Sequence, residues 1–151
     1  AERKKSLKYK LVPQDLEIRD KKVLIMDDSI VRGNTSREIV RMLKDFGAKE
    51  VYFTVACPPV KSPCFYGVDM PTKEELIAGN MNEEEIEKYL EVDALLYQKI
   101  DDLVEAVTRR GDHHIDTPCM ACLDGNYVAN DIDKAKIAEM ETMRNNDRND
   151  K

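Results

Sequence analysis

The chain has no apolar run approaching the roughly 20 residues that a bilayer-spanning helix requires, so no membrane role is expected. The basic stretch Ala1 to Lys10 lacks the apolar segment of a secretory signal, which points to a cytoplasmic setting. There is no excess of positive charge either. With 24 Lys and Arg against 30 Asp and Glu, the net charge is -6 and the pI about 5.1, so the overall field does not favour nucleic acid and any phosphate must be held by local geometry. An internal repeat and an initiator methionine are also missing. Only two or three segments read as sheet strands, against the roughly four to six usual in an α/β domain. The missing methionine and the strand shortfall predict a portion of something longer.

The 151 residues are 42% apolar and 36% charged, enough for one soluble globular domain with its own core. Lys5 to Lys22 is mixed and basic, with Pro13 breaking any helix. Val23 to Met26 reads as a fully buried parallel strand ending at Asp27. Ile39, Val40, Leu43 and Phe46 recur at helical spacing over Arg37 to Phe46, and Gly47 stands where a helix ends. Val51 to Cys57 reads as a second buried strand, which completes a βαβ unit with a right-handed crossover. Cys57, Pro58-Pro59 and Ser62-Pro63-Cys64 then form a rigid loop at the carboxyl end of that strand, where function collects.

Thr72 to Glu75 has the form of a capping box opening a short helix through Leu76 and Ile77. A second helix spans Glu83 to Leu90, its acidic start favoured by the helix dipole, with Ile86, Tyr89 and Leu90 on one face. Ala94 to Tyr97 suits a third strand, and Asp101 to Arg109 a helix with Leu103, Val104 and Val107 inward. Cys119 to Tyr127 is a compact turn, the tail from Asp131 is weakly helical through Met140, and Asn145 to Lys151 is expected to be disordered. The fold class is therefore α/β, a parallel sheet with flanking helices.

Asp27-Asp28-Ser29-Ile30-Val31-Arg32-Gly33-Asn34-Thr35-Ser36 is the most informative segment. The acids stand at a strand's carboxyl end, and the following loop offers backbone amides and hydroxyls at a helix N-terminus, a ready anion cradle. Carboxylates beside a phosphate cradle would repel the ligand unless they bind ribose hydroxyls or a divalent cation, so the pair points to a sugar phosphate. Simple helix capping needs one acid or hydroxyl, far less than is present. A receiver-like phosphorelay domain also begins with a strand and paired acids, and Asp69-Met70-Pro71 partly echoes its phosphoacceptor segment. The receiver spacing fails, because two residues should separate that Asp from Met-Pro.

The whole loop resembles the phosphoribosyl pyrophosphate (PRPP) motif of type I phosphoribosyltransferases, and in particular that of the amidophosphoribosyltransferases, which usually have Thr where Asn34 stands. Cys57 to Lys61, Cys64 to Pro71, Glu75 to Ala78, Gly125-Asn126-Tyr127 and Arg3 to Leu11 carry the likeness to about Met143. The resemblance implies a glutamine-dependent transferase that makes 5-phosphoribosylamine and pyrophosphate from PRPP and ammonia, the first step of purine synthesis. It implies that Asp27 and Asp28 bind the ribose hydroxyls, directly or through Mg2+, that Arg32, Gly33, Asn34, Thr35 and Ser36 hold the 5-phosphate, and that Ser29 belongs to the same PRPP-binding set. Displacement at an anomeric carbon needs orientation and electrostatics rather than a protein nucleophile, so no general base is assigned.

Residues 1–144 would then be the C-terminal portion of a phosphoribosyltransferase domain and 145–151 a tail, with the glutaminase domain absent. Ala1 cannot serve as that domain's cysteine nucleophile, so this polypeptide is not expected to hydrolyse glutamine or to be active alone. The family is usually a nucleotide-inhibited homo-oligomer. A PRPP-sensing phosphoribosyltransferase-like regulator without chemistry is the alternative reading.

Cys64, Cys119 and Cys122 stand where three ligands of a [4Fe-4S] cluster lie in some amidophosphoribosyltransferases, which implies a fourth ligand outside this chain. Cys57 matches no such ligand. Zinc on the Cys-x-x-Cys pair, or buried and incidental thiols, are the other readings. His113 and His114 sit in a polar loop and are taken as solvated, while Met26, Met42 and Met140 are taken as packing residues.

Overall fold

The computed structural model describes residues 13–109, 115, 117–129, 132 and 134–149. The Arg3 to Leu11 segment and His113-His114 lie outside the described residues. Three strands, β1 (Lys22–Asp27), β2 (Glu50–Val55) and β3 (Ala94–Tyr97), form a parallel sheet in the order β1-β2-β3. Ile25 pairs with Phe53 and Asp27 with Val55, while Val55 also faces Tyr97, which aligns the three carboxyl ends. α1 (Asp15–Ile18) is a single turn after Pro13 that the sequence pattern did not announce, tied by an Arg19–Asp15 ion pair of 2.6 Å.

One face of the sheet is covered. Val51, Phe53 and Val55 pack there under Val40 and Leu43 of α2 (Asn34–Asp45), Ile77 and Ala78 of α3 (Ile77–Asn80), and Ile86 and Leu90 of α4 (Glu83–Leu90). Phe53, Val40, Ile86 and Leu90 are fully buried, so this layer supplies the main hydrophobic stabilisation. Leucine, isoleucine and valine recur three and four residues apart on α2 and α4, which is why each helix buries one stripe and leaves the other face polar. α4 begins at a full capping box: the Glu85 amide donates to Asn82 Oδ1 at 2.9 Å, and the Asn82 amide to Glu85 Oε2 at 2.8 Å.

The other face is open. Leu24, Met26 and Leu96 are 60%, 75% and 55% exposed, so β1 is not the strand buried on both faces that its four successive apolar residues predicted, and Met26 is not a packing residue. The cause is that the described helices of the main core lie on one side, so among the described residues alternate side chains of β1 and β3 have no second layer to pack against.

A second cluster lies beyond the carboxyl ends of the strands. Val60, Met70, Leu76 and Leu123 are its buried members, joined by Val31, Cys57, Cys64, Ile100, Leu103 and Cys122. Leu76 is extended (φ -76, ψ 119) and buries its side chain here, which splits the expected short helix into a 3-10 turn (Lys73–Glu75) and α3. α5 (Ile100–Thr108) turns Leu103 and Val104 partly inward, but Val107 is exposed. α6 (Ala121–Asp124) is one turn that begins inside the Cys-x-x-Cys segment and ends beyond it. α7 (Lys134–Asn149) continues through Asn145 to Asn149, where the sequence pattern gave a tail; residues 150–151 lie outside the described residues. Each Asn or Asp costs a helix only some tenths of a kcal/mol, too little to end one already propagating.

Candidate functional site

The carboxyl end of β1 leads directly into the loop, and Ile30 anchors it by burying its side chain (1% exposed) in the main core. The Ile77 amide donates to the Val31 carbonyl at 2.9 Å, and Arg32 Nε and Nη2 donate to Glu75 Oε1 at 3.1 and 3.0 Å. Gly33 then takes a left-handed conformation (φ 74, ψ -10) and serves as N-cap of α2. A Cβ at this position would lie 2.6 Å from Ile77 Cδ1 and 3.2 Å from Tyr89 Cε1, so the turn requires glycine for space as well as for φ. The first α-helical bond is the one from the Arg37 amide to the Gly33 carbonyl at 2.9 Å. Gly33 has no side chain with which to cap, so the amides of Asn34, Thr35 and Ser36 open the helix uncapped.

This start of α2 borders a cavity of about 570 Å3 lined by Asp27, Ser29, Val31, Arg32, Gly33, Asn34, Thr35, Ser36, and by Arg37, Glu38, Arg41 and Tyr89. Seven of the eight residues singled out from the sequence therefore line one cavity: Asp27, Ser29, Arg32, Gly33, Asn34, Thr35 and Ser36. The eighth, Asp28, is exposed beside it, and the two acids are ordered locally. The Asp28 amide donates to Asp27 Oδ1, and Ser29 Oγ to Asp28 Oδ1, both at 2.9 Å. Amides from Ala56 and Cys57 hold the Asp27 and Asp28 carbonyls at 3.0 and 2.9 Å, so the acids sit on the sheet's rim rather than on a loose loop.

Three cationic side chains stand on the wall, each paired to an acid. The Arg32 guanidinium is engaged by Glu75. Arg37 and Arg41, spaced i and i+4 along α2, each have an Nη2 donating to Glu91 Oε1 at 2.8 Å. Those hydrogen bonds hold the Glu91 carboxyl below the usual carboxylate range, Arg41 first and Arg37 next. Arg37 also lies over the Tyr89 ring, 4.5 Å from its centroid, and the Tyr89 hydroxyl donates to Asn34 Oδ1 at 3.1 Å. The sequence offered no local signal for Tyr89 or Glu91, because both reach α2 from more than 50 residues further along the chain.

The cysteines lie on the second cluster. The Lys61 and Ser62 amides donate to the Cys122 carbonyl at 2.9 and 3.0 Å, and the Tyr127 hydroxyl donates to the Pro63 carbonyl at 2.7 Å, which docks the Cys-x-x-Cys turn on the Pro58 to Cys64 loop. Burial pushes the Cys122 thiol up, and Cys64 and Cys119 add to the effect as neighbours. Cys64 Sγ accepts from the Tyr66 amide at 3.3 Å. Cys57 is likewise pushed up by burial, then by Cys122 and Asp28. Among the described residues, no three His, Cys, Asp or Glu side chains form a group that could hold a metal ion. Cys64, Cys119 and Cys122 are soft donors of the kind a cluster takes, but they are fewer than the four of a cubane and are not drawn together as a metal group among the described residues.

No family model matches the chain. Amidophosphoribosyltransferases do: that of Pseudomonas aeruginosa is 45% identical over 145 residues, 96% of this chain, and that of Escherichia coli 40% identical over the same share. The chain spans under a third of the length of these curated relatives, 29% and 28% respectively. Among solved structures, the glutamine PRPP amidotransferase from B. subtilis, complexed with ADP and GMP, superposes with a TM-score of 0.68 at 36% identity, over 87% of this chain and 31% of that one. A structure of the allosteric regulatory enzyme of purine biosynthesis gives a TM-score of 0.71 at 34% identity, over 90% of this chain and 30% of that one.

Proposed function

Because the chain is homologous, along almost all of its length, to part of the amidophosphoribosyltransferases, we propose that it carries the ribose 5-phosphate half of a PRPP site. The complete enzyme transfers ammonia from glutamine to PRPP in the first step of purine synthesis. The observation that carries this reading is the cavity at the end of β1, lined by Asp27, Ser29 and the uncapped first residues of α2, Asn34, Thr35 and Ser36. A phosphate on Asn34 to Ser36 would receive N–H donors and the positive end of α2. The ribose then extends toward Asp27 and Asp28, whose carboxylates accept hydrogen bonds from its hydroxyls.

The reaction forms a C1–N bond from the ammonia lone pair as the C1–O bond to pyrophosphate breaks, and the ammonium proton leaves to solvent. This chain's part is orientation: the cradle fixes the 5-phosphate and the acids fix the ribose, which holds C1 at a set place. Paired carboxylates on a rim are the hard oxygen donors that suit Mg2+, which would supply charge neutralisation for the departing pyrophosphate. For the complete enzyme the proposal includes a [4Fe-4S] cluster on Cys64, Cys119 and Cys122 with a fourth ligand from elsewhere. Absence of both iron and acid-labile sulfide after anaerobic purification of that enzyme would remove it. Homo-oligomerisation is part of the same proposal.

Equilibrium dialysis of the chain against PRPP, with and without Mg2+, tests the central assignment. Saturable binding strengthened by Mg2+ and weakened by Asp27→Asn is expected. Binding indifferent to both changes contradicts it.

A further inference from the structure

We infer that Tyr89 is a positioning residue of the anion loop: it holds Asn34 Oδ1 so that the Asn34 amide nitrogen is the donor turned to the bound phosphate. This deepens the site proposed above and rests on that reading. Tyr89 belongs to α4, yet it touches the loop at three places. Its ring edge lies against Gly33, since a Cβ there would be 3.2 Å from Cε1. Its hydroxyl donates to Asn34 Oδ1 at 3.1 Å. The Arg37 guanidinium sits over its face, 4.5 Å from the centroid, and is itself tied to Glu91 at 2.8 Å.

The contacts on Gly33, Asn34 and Arg37 fix different atoms of one helical turn. The ring sets how closely the Gly33 turn approaches α4. The hydroxyl decides which end of the Asn34 side chain is free. An amide whose oxygen already accepts one hydrogen bond can present its two N–H donors elsewhere, whereas an unheld Asn would offer oxygen and nitrogen equally to an anion that tolerates only the nitrogen. Asn34 and Tyr89 both line the cavity, so the held amide stands at the place where the anion is expected.

The pairing was invisible in the sequence, where Tyr89 reads as one of the apolar positions of α4. It does pack against the core, but only partly, and the exposed remainder carries the hydroxyl.

A double-mutant cycle on the whole chain tests the inference, with ribose 5-phosphate as ligand. Tyr89→Phe keeps the ring against Gly33 and under Arg37 and removes only the hydroxyl. It should weaken binding roughly 3- to 10-fold, the effect of one net hydrogen bond, with helix content and urea midpoint essentially unchanged. In an Asn34→Ala background the same change should have almost no effect on binding. In the ligand-free chain, Tyr89→Phe should also shift the side-chain NH2 resonances of Asn34.

Equal loss with and without Asn34, or no loss at all, overturns the inference. If the wild-type chain binds no ribose 5-phosphate, the cradle reading itself fails. The Asn34 NH2 resonances then decide alone whether Tyr89 holds that side chain, and unchanged resonances overturn it.

Discussion

Replacing Gly33 by alanine tests the loop's construction, because Gly125 provides a matched control. Gly33 has φ 74 and ψ -10, and Gly125 has φ 80 and ψ 5, so an alanine at either position meets the same left-handed backbone, at about 1–2 kcal/mol. Their surroundings differ. A Cβ on Gly125 would meet Ser62 Oγ at 3.5 Å, an ordinary contact, whereas on Gly33 it would meet Ile77 Cδ1 at 2.6 Å. Ile77 is held in the main core, so relief requires moving a packed side chain or the turn itself, a further 1–3 kcal/mol or so. Urea denaturation should therefore show Gly125→Ala losing roughly 1–2 kcal/mol and Gly33→Ala roughly 2–5 kcal/mol. Gly33→Ala should also weaken ribose 5-phosphate binding, since it displaces the amides that follow, and Gly125→Ala should not. Equal destabilisation by the two changes would show that the close approach of α3 to the loop is not the constraint.

Other outcomes follow from the same contacts. Asn82→Ala removes the cap of α4 and should cost about 1 kcal/mol in urea unfolding. Because α4 carries Tyr89, it should also weaken ligand binding, and unaltered stability would contradict the capping assignment. Glu91 has its folded pKa depressed by Arg41 and Arg37, so its contribution to stability is present above the unfolded carboxyl pKa and is lost as pH falls through the lower, folded value. Unfolding midpoints of wild type and Glu91→Gln should therefore differ near pH 6 and converge in acid; a difference that persists at pH 2 refutes the pairing. Met26→Lys with Leu96→Glu places charge on the open sheet face, and should lower self-association in sedimentation without lowering the urea midpoint. A large loss of stability would mean that this face is packed.

How much was legible in the sequence depended on the range of the interactions involved. Helix α4 and strand β3 end where their sequence patterns end, because a capping box and a run of apolar residues are local devices. That the residues from Asp27 to Ser36 share one cavity was equally legible, since they are contiguous, and seven of those named line it. The Arg32–Glu75 pairing left no mark in the sequence, because its partners are 43 residues apart. Arg37, Arg41 and Tyr89 were missed as wall residues for the same reason: their roles arise only when α4 packs on α2. The open face of β1 was misread because four successive apolar residues report hydrophobicity on both faces of a strand, not whether a second layer exists to cover them.

If the amides at the start of α2 hold the 5-phosphate of PRPP beside Asp27, those amides respond first when the ligand is added. The most direct measurement is a map of backbone amide shifts in the labelled chain as PRPP and Mg2+ are added. The largest changes should fall on Gly33 to Ser36 and on Asp27 and Asp28, and should saturate together. Shifts confined to other parts of the chain, or none at concentrations that saturate dialysis, would contradict it.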